Sequence, residues 1–301
     1  MLLLENRKIK NSINKDFSKN EIMSLIYHSI FNYPLNQNEL IKWLAGDKAT
    51  RVMNKGKIDK LSAKINSKNG YFYLKGQNNF ILQRLLKKRI GERKKTIARK
   101  AAKILSFIPS IDAIALTGAV SMDNANENSD IDLLIITKKG TLWTTRIISY
   151  TLLALSGIKV RKFEKSPVVG EQKDKLCLNM WLDEGSLYWK GKKNLFIAHE
   201  IAQVIPLVNK EKTYEKFILK NKWIKDFWPN AVPFKILTSH VSKKDNLASF
   251  IIRFSEPLSY RLQKWYMRRK ITREVVTVNK AIFHPFNWRS LIQKRLSQLL
   301  A

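Results

Sequence analysis

The chain has a single cysteine, Cys177, in 301 residues. One thiol excludes a disulfide framework within the chain and a cysteine-rich zinc site. Histidine is nearly as scarce: His28, His199, His240 and His284 are scattered, without the spacing of a metal site. Long apolar runs are missing too. The longest, residues 147–158, carries Ser, Tyr and Thr and covers about 12 positions, where a membrane helix needs about 20. The opening Met-Leu-Leu-Leu-Glu is too short in apolar residues to read as a secretory signal, and basic residues follow it. Together these absences lead to the expectation of a soluble, cytoplasmic protein with no membrane segment. No internal repeat or low-complexity linker is visible.

Acidic residues are the other scarce class, 24 against 56 Lys and Arg, for a net charge of +32. An AT-rich codon bias accounts for Lys over Arg better than for basic over acidic. Such a surplus sets up a field that attracts polyanions. RNA or DNA is therefore the expected macromolecular partner, held in a salt-sensitive way; an anionic membrane surface or nucleotide phosphates are lesser alternatives. Hydrophobic content of 45% excludes a mainly disordered chain, and this length allows two or three domains with their own cores.

With carboxylates so few, those that fall in a pattern carry weight. An apolar run at 111–116 reads as a strand and is followed by Gly118 and a helix start. An Asn- and Ser-rich loop comes next, and then Asp130-Ile-Asp132 leads into a second apolar strand. On a strand, residues two apart share a face at about 6.6 Å, so both carboxylates can grip a divalent cation from one side. Mg²⁺ favours such hard oxygen ligands, shared with substrate phosphates. A helix start adds free N–H groups and a favourable dipole for an anion. Taken alone, an Asp-x-Asp at a strand start is commonly a solvated turn; its coupling to strand, glycine and loop sets this one apart.

At these residues the chain resembles the nucleotidyltransferase superfamily typified by DNA polymerase β, whose signature is Gly-Ser, a gap, Asp-x-Asp and a third acid on a later strand. The resemblance implies an α/β (α+β) fold, a mixed sheet with flanking helices. It also implies an NTP substrate and Mg²⁺ or Mn²⁺ held by Asp130 and Asp132, which would be the catalytic pair. Gly118, Ala119, Ser121 and Ser129 would lie at the nucleotide phosphates, and Arg146 on the following helix would reach the triphosphate or serve structure alone. Ala119 stands where the family has Ser, so Ser121 or Ser129 would replace that hydroxyl. The third acid is absent from its place. In the strand expected at 176–182, alternation puts Cys177, Asn179, Trp181 and Asp183 on one face, and Asn179 occupies the carboxylate position. An amide ligates a metal but is no base. Asp183, farther along that face, would have to serve from the strand's end; the competing and favoured reading is a turn with Glu184 and Gly185.

Flanking segments complete the expectation. Helices at about 20–31, 39–45 and 57–66, then a hairpin at 70–82 turning at 76–79, resemble a winged helix-turn-helix. In such a unit Lys57, Lys60 and Lys64 would face a nucleic-acid groove and Lys75 would lie near the wing; a plain solvated face is the competing reading. The basic stretch 84–103 is expected as a helix that either tracks phosphates or simply links two units. Beyond residue 194 the chain reads as helical, with Pro206 ending one helix and His284-Pro285 marking a turn. A long basic segment from 247 carries Leu262, Trp265, Tyr266 and Met267, expected to pack on a neighbouring helix. The expected domains are thus 1–93 (winged-helix-like), 94–193 (transferase core) and 194–301 (helical). This order resembles a group of bacterial nucleotidyltransferase-domain proteins that carry no assigned substrate. The expected activity is Mg-dependent transfer of an NMP group from an NTP to a hydroxyl of an unspecified acceptor (nucleic acid, protein or small molecule). The alternative is a catalytically degenerate, nucleotide-sensing regulator that binds nucleic acid through the winged helix.

Overall fold

A computed structural model describes residues 17–77, 79–161, 172–233, 247–269, 274–283 and 288–301. His240, the His284-Pro285 turn and the first five residues lie outside these segments. In chain order the elements are α1 (Lys19–Ser29), β1 (Leu35–Asn36), α2 (Gln37–Lys42), α3 (Asp47–Thr50), α4 (Lys55–Ser62), β2 (Ile65–Lys68), β3 (Tyr71–Leu74) and α5 (Phe80–Leu105). Then follow β4 (Ile111–Leu116), α6 (Gly118–Ser121), β5 (Ile131–Thr137), α7 (Leu142–Leu155), β6 (Leu176–Asp183), α8 (Leu195–Ala202), β7 (Ile205–Asn209) and α9 (Thr213–Lys220). The last are α10 (Leu247–Met267), β8 (Val275–Thr277), β9 (Lys280–Ile282) and α11 (Trp288–Leu300). No described helix is long and apolar enough to cross a membrane.

The central sheet has six strands in the order β7-β4-β5-β6-β9-β8. β5 and β6 are parallel, with α7 between them in the chain, while β4 runs antiparallel to β5. Such a parallel pair needs a crossover, which the apolar 142–155 helix supplies. The fold is therefore the mixed α/β sheet with flanking helices expected from the sequence. The region beyond 194 is less uniformly helical than expected, because it contributes β7, β8 and β9 to the sheet. Pro206 does not simply end a helix. It sits in β7, an edge strand, where a missing N–H costs no ladder bond.

Two cores lie on opposite faces of this sheet. Ile111, Ile114, Leu116, Ile131, Leu133 and Ile135 face α5 and α7, whereas Ala113, Ala115, Leu134 and Ile136 face α8 and α9. The second core continues into the N-terminal unit, where Tyr27 and Trp43 meet His199 and Trp228 at ring separations of 4.4–5.8 Å.

In the N-terminal unit, capping boxes start α1 (Ser18 with Glu21) and α2 (Asn36 with Glu39). The hairpin is displaced from its expected place. β2 and β3 turn at Asn69-Gly70, whose φ values of 52° and 75° suit the tight primed turn of hairpins. Residues 80–82, expected as strand, open α5 instead. Lys75 is thus at the open end of the hairpin, its N–H bonded to the Lys64 carbonyl at 2.7 Å, away from the turn.

The aromatic stripe of α10 is also corrected. Met267 is buried, but Leu262, Trp265 and Tyr266 are all more than half exposed. The helix instead binds α7 through a largely polar seam. Both Glu256 carboxylate oxygens accept N–H groups at the start of α7, from Trp143 at 2.7 Å and Thr144 at 2.8 Å. A carboxylate there satisfies two of the donors that a helix start leaves unpaired.

Candidate active site

Asp132 is the second residue of β5, and Asp130 lies just before that strand. Both carboxylates approach the Cys177 thiol of β6, with one ligand atom of each residue inside a 4.8 Å cluster. Asp130 Oδ2 accepts from the Arg161 guanidinium at 2.7 Å, and Asp132 Oδ1 accepts from Asn179 Nδ2 at 2.6 Å. Burial pushes the Asp132 carboxyl well up, and the Asp130 charge adds to it. The Cys177 thiol is pushed up first by burial and then by the two aspartates, so it stays neutral.

Gly118 explains why the sequence has glycine there. Its φ is +64°, and a Cβ would run into the Asp132 carboxylate Oδ2. Only glycine lets the β4–α6 turn close over Asp132. Ala119 follows in α6, which is a single turn of helix. The two serines serve the loop itself. Ser121 Oγ donates to the Gly118 carbonyl at 2.8 Å, and Ser129 Oγ is bonded to Asn126 at 3.0 and 3.1 Å. Thr117 lines the cavity above Asp132, a hydroxyl residue on the other side of Gly118 from the one expected.

Strand β6 departs from plain alternation. Its pairing with β5 slips by one residue between Asp132 and Leu134, a β-bulge. Asn179 lies within the bulge, on the aspartate side; after it Met180 and Leu182 take that side, and Trp181 joins Leu176 and Leu178 in the opposite core. The expected common face of Cys177, Asn179, Trp181 and Asp183 is therefore broken. Asp183 accepts N–H bonds from Gly140 at 3.2 Å and Gly185 at 3.0 Å, as its turn reading required. Asn179 is brought to Asp132 as expected, and its Oδ1 is buried with no hydrogen-bond partner among the described residues.

Arg146 is not brought to the aspartates. It bonds Gln263 at 2.6 Å and stacks on Tyr150 and Phe283. The basic helix α5 does what neither sequence reading proposed. Its cations clamp the loop that delivers Asp130. Lys94, with no exposed surface, donates to the carbonyls of Glu127 (3.1 Å) and Ser129 (2.7 Å) and to Asp174 (2.7 Å). Lys95 holds Asp123 at 2.6 Å, and Arg93 holds Glu127 at 2.8 Å. Gly91 permits this contact, since a Cβ there would press on Asp123 Oδ1 at 2.9 Å. The expected 57–66 helix ends earlier, as α4 at Ser62: on it Lys60 is exposed and Lys57 half-buried, while Lys64 lies past its end, exposed beside the exposed Lys75.

Asp132, Gly118 and Asn179 form the floor of a cavity of about 400 Å³. Its lining includes Phe196, Ile197 and Glu200 of α8, Trp189, Phe217 of α9, Lys280 of β9 and Arg289 of α11. Burial pushes the Glu200 carboxyl up to about 7. Arg161, Thr117 and Glu200 are functional candidates that sequence reasoning missed. Nothing local in the sequence marks Arg161 or Glu200, which reach the site only through the parallel strand pair and the α8 packing.

The donor set fits a hard divalent cation. Two carboxylates and an unpartnered amide oxygen are oxygen ligands of the kind Mg²⁺ and Mn²⁺ take. The Cys177 thiol is too soft to add to Mg²⁺ binding.

Strand, glycine turn, paired aspartates and parallel crossover define the class of fold that carries nucleotidyl transfer. Residues 98–253 match the nucleotidyltransferase domain, and the chain belongs to that family. Comparisons with curated proteins and with solved structures gave no match.

Proposed function

We propose that the protein transfers an NMP group from an NTP to a hydroxyl of an acceptor. The observation that carries this reading is the glycine turn closed onto Asp132, beside Asp130 and at the floor of a cavity. Asp130 and Asp132, with Asn179 Oδ1, would hold Mg²⁺ or Mn²⁺. When bound, that ion neutralises charge on the triphosphate and on the leaving pyrophosphate. The Gly118–Ala119 backbone would receive phosphate oxygens, and Ser121 and Ser129 support this reading by fixing the loop around it. Arg161 orients the Asp130 carboxylate. The free Cys177 supports a reducing, cytoplasmic setting.

The test is transfer of label from an α-labelled NTP with Mg²⁺, scored by pyrophosphate release. Label is expected to move with at least one NTP and to stop in Asp132→Asn; label transfer equal in the variant would reject the reading.

A second reading rests on Asn179 standing where a base is needed. A nucleotide-sensing regulator would bind NTP without turnover. Its nucleic-acid contact would use the three-stranded N-terminal unit as a winged-helix-like module, through Lys57, Lys60, Lys64 and Lys75. Nucleotide binding with no label transfer to any acceptor would favour it.

A further inference from the structure

The cavity above Asp132 extends beyond the residues that would hold the nucleotide phosphates, and most of its lining is apolar. Its lining is mainly aromatic and aliphatic, with Trp189, Phe196, Ile197, Phe217 and Leu187; the charged groups among it, besides Asp132, are Glu200, Lys280 and Arg289. A volume of about 400 Å³ is within the range of small-molecule sites and too small for a folded acceptor.

Polar atoms are placed sparingly on the walls. Asn179 Oδ1 and the Trp189 indole N–H are buried without hydrogen-bond partners among the described residues. Buried polar groups are seldom left so, and both belong to side chains that line the cavity. Glu200 accepts from Gln203 at 2.8 Å, which orients its carboxylate from α8. Its charge is felt at Asp132 across the cavity.

We propose that this cavity is the acceptor site, that the acceptor is a small, largely apolar hydroxyl compound, and that Glu200 receives the hydroxyl proton. This rests on the NMP-transfer reading above. The acceptor oxygen forms a bond to the α-phosphorus, and the bond from that phosphorus to the bridging oxygen breaks. Pyrophosphate leaves with the electron pair, and the hydroxyl proton passes to the Glu200 carboxylate. Glu200 thus supplies from α8 the base that Asn179 cannot supply from β6. A carboxyl held near neutral pH by burial suits that role.

1-Naphthylmethanol serves as the apolar hydroxyl probe and ribose as its polar counterpart, each followed by ligand-observed saturation-transfer NMR on the full chain. Naphthylmethanol is expected to bind, ribose is not, and Ile197→Trp, which fills the cavity, is expected to weaken the alcohol at least tenfold. The same variant should keep its melting shift with Mg²⁺ and a mixture of the four NTPs. Glu200→Gln should bind both ligands yet transfer label to naphthylmethanol at least a hundredfold more slowly, with the rising limb of the pH–rate profile near 7 removed. NTP binding without alcohol binding, or alcohol binding indifferent to Ile197→Trp, would overturn the acceptor assignment alone. Unchanged transfer in Glu200→Gln would remove Glu200 from its role. Absence of NTP binding in the native protein would overturn the parent reading and this one with it.

Discussion

Replacing Lys94 by Met tests whether α5 builds the active site or merely precedes it. The ammonium is fully buried and bonds three oxygens, the carbonyls of Glu127 and Ser129 and the carboxylate of Asp174. Charged hydrogen bonds contribute about 1.5–3 kcal/mol each in favourable cases, and breaking a buried ion pair from one side costs about 3–5 kcal/mol. Two considerations reduce the figure. Asp174 keeps 29% of its side chain exposed and can be resolvated, and Met regains some burial. The expected loss is about 3 kcal/mol. Urea unfolding should show it as a lower midpoint with the slope unchanged. Lys88→Met on the exposed side of the same helix is expected within about 0.5 kcal/mol of native. The loop from 123 to 130 would also loosen, so the NTP-dependent stabilisation should shrink in Lys94→Met and stay in Lys88→Met. A loss below about 1 kcal/mol in Lys94→Met would refute the reasoning, because three such bonds cannot be surrendered that cheaply in a buried setting.

Further outcomes follow from the same geometry. Gly118→Ala should lose about 2 kcal/mol from its left-handed backbone and the displaced Asp132 carboxylate, with loss of Mg-dependent NTP stabilisation in a thermal melt. Arg161→Met leaves Asp130 beside Asp132 without its cation; it should be destabilised by about 2 kcal/mol, and Mg²⁺ should raise its melting temperature more than that of the native protein. His28 is buried and its imidazole is pushed down to about 4, first by burial. The unfolded state therefore takes up this proton first, and stability falls as pH drops from 6.5 to 4, by about 3 kcal/mol in all. Glu200, raised to about 7, acts in reverse over roughly the same window. The histidine contribution is thus read as the stability difference between native and His28→Leu proteins, which should narrow as pH falls in urea titrations from pH 7 to 4.5.

What the sequence disclosed and what it withheld have physical reasons. Gly118, Asp130 and Asp132 were legible because glycine turn, loop and strand lie within 20 or so residues, and local spacing alone places them. Asn179 was legible as the residue opposite the aspartates. The β6 bulge was not, since a one-residue slip leaves no mark on an apolar strand, and it moved Trp181 to the other core. The hairpin turn was readable in Asn69-Gly70, a strong local signal, but the later Gly76 drew the expected turn beyond it. The outward face of α10 had the composition of a core stripe, and only the polar seam of Glu256, Ser259 and Gln263 on α7 decided otherwise. Glu200 and Arg161 depend on long-range packing that no window of sequence contains. The clamp of Lys94, Lys95 and Arg93 looked like a solvated or phosphate-tracking face, because charge pattern cannot tell a loop's oxygens from a phosphate's.

The central claim is that Asp130 and Asp132 form a nucleotide site that works with a divalent ion, and titration calorimetry of each NTP with and without Mg²⁺ addresses it most directly. Saturable one-to-one binding of at least one NTP is expected, dependent on Mg²⁺ and abolished in Asp130→Asn/Asp132→Asn while that variant keeps its fold by circular dichroism. Heats absent for every NTP, or binding that survives the double substitution, would contradict it.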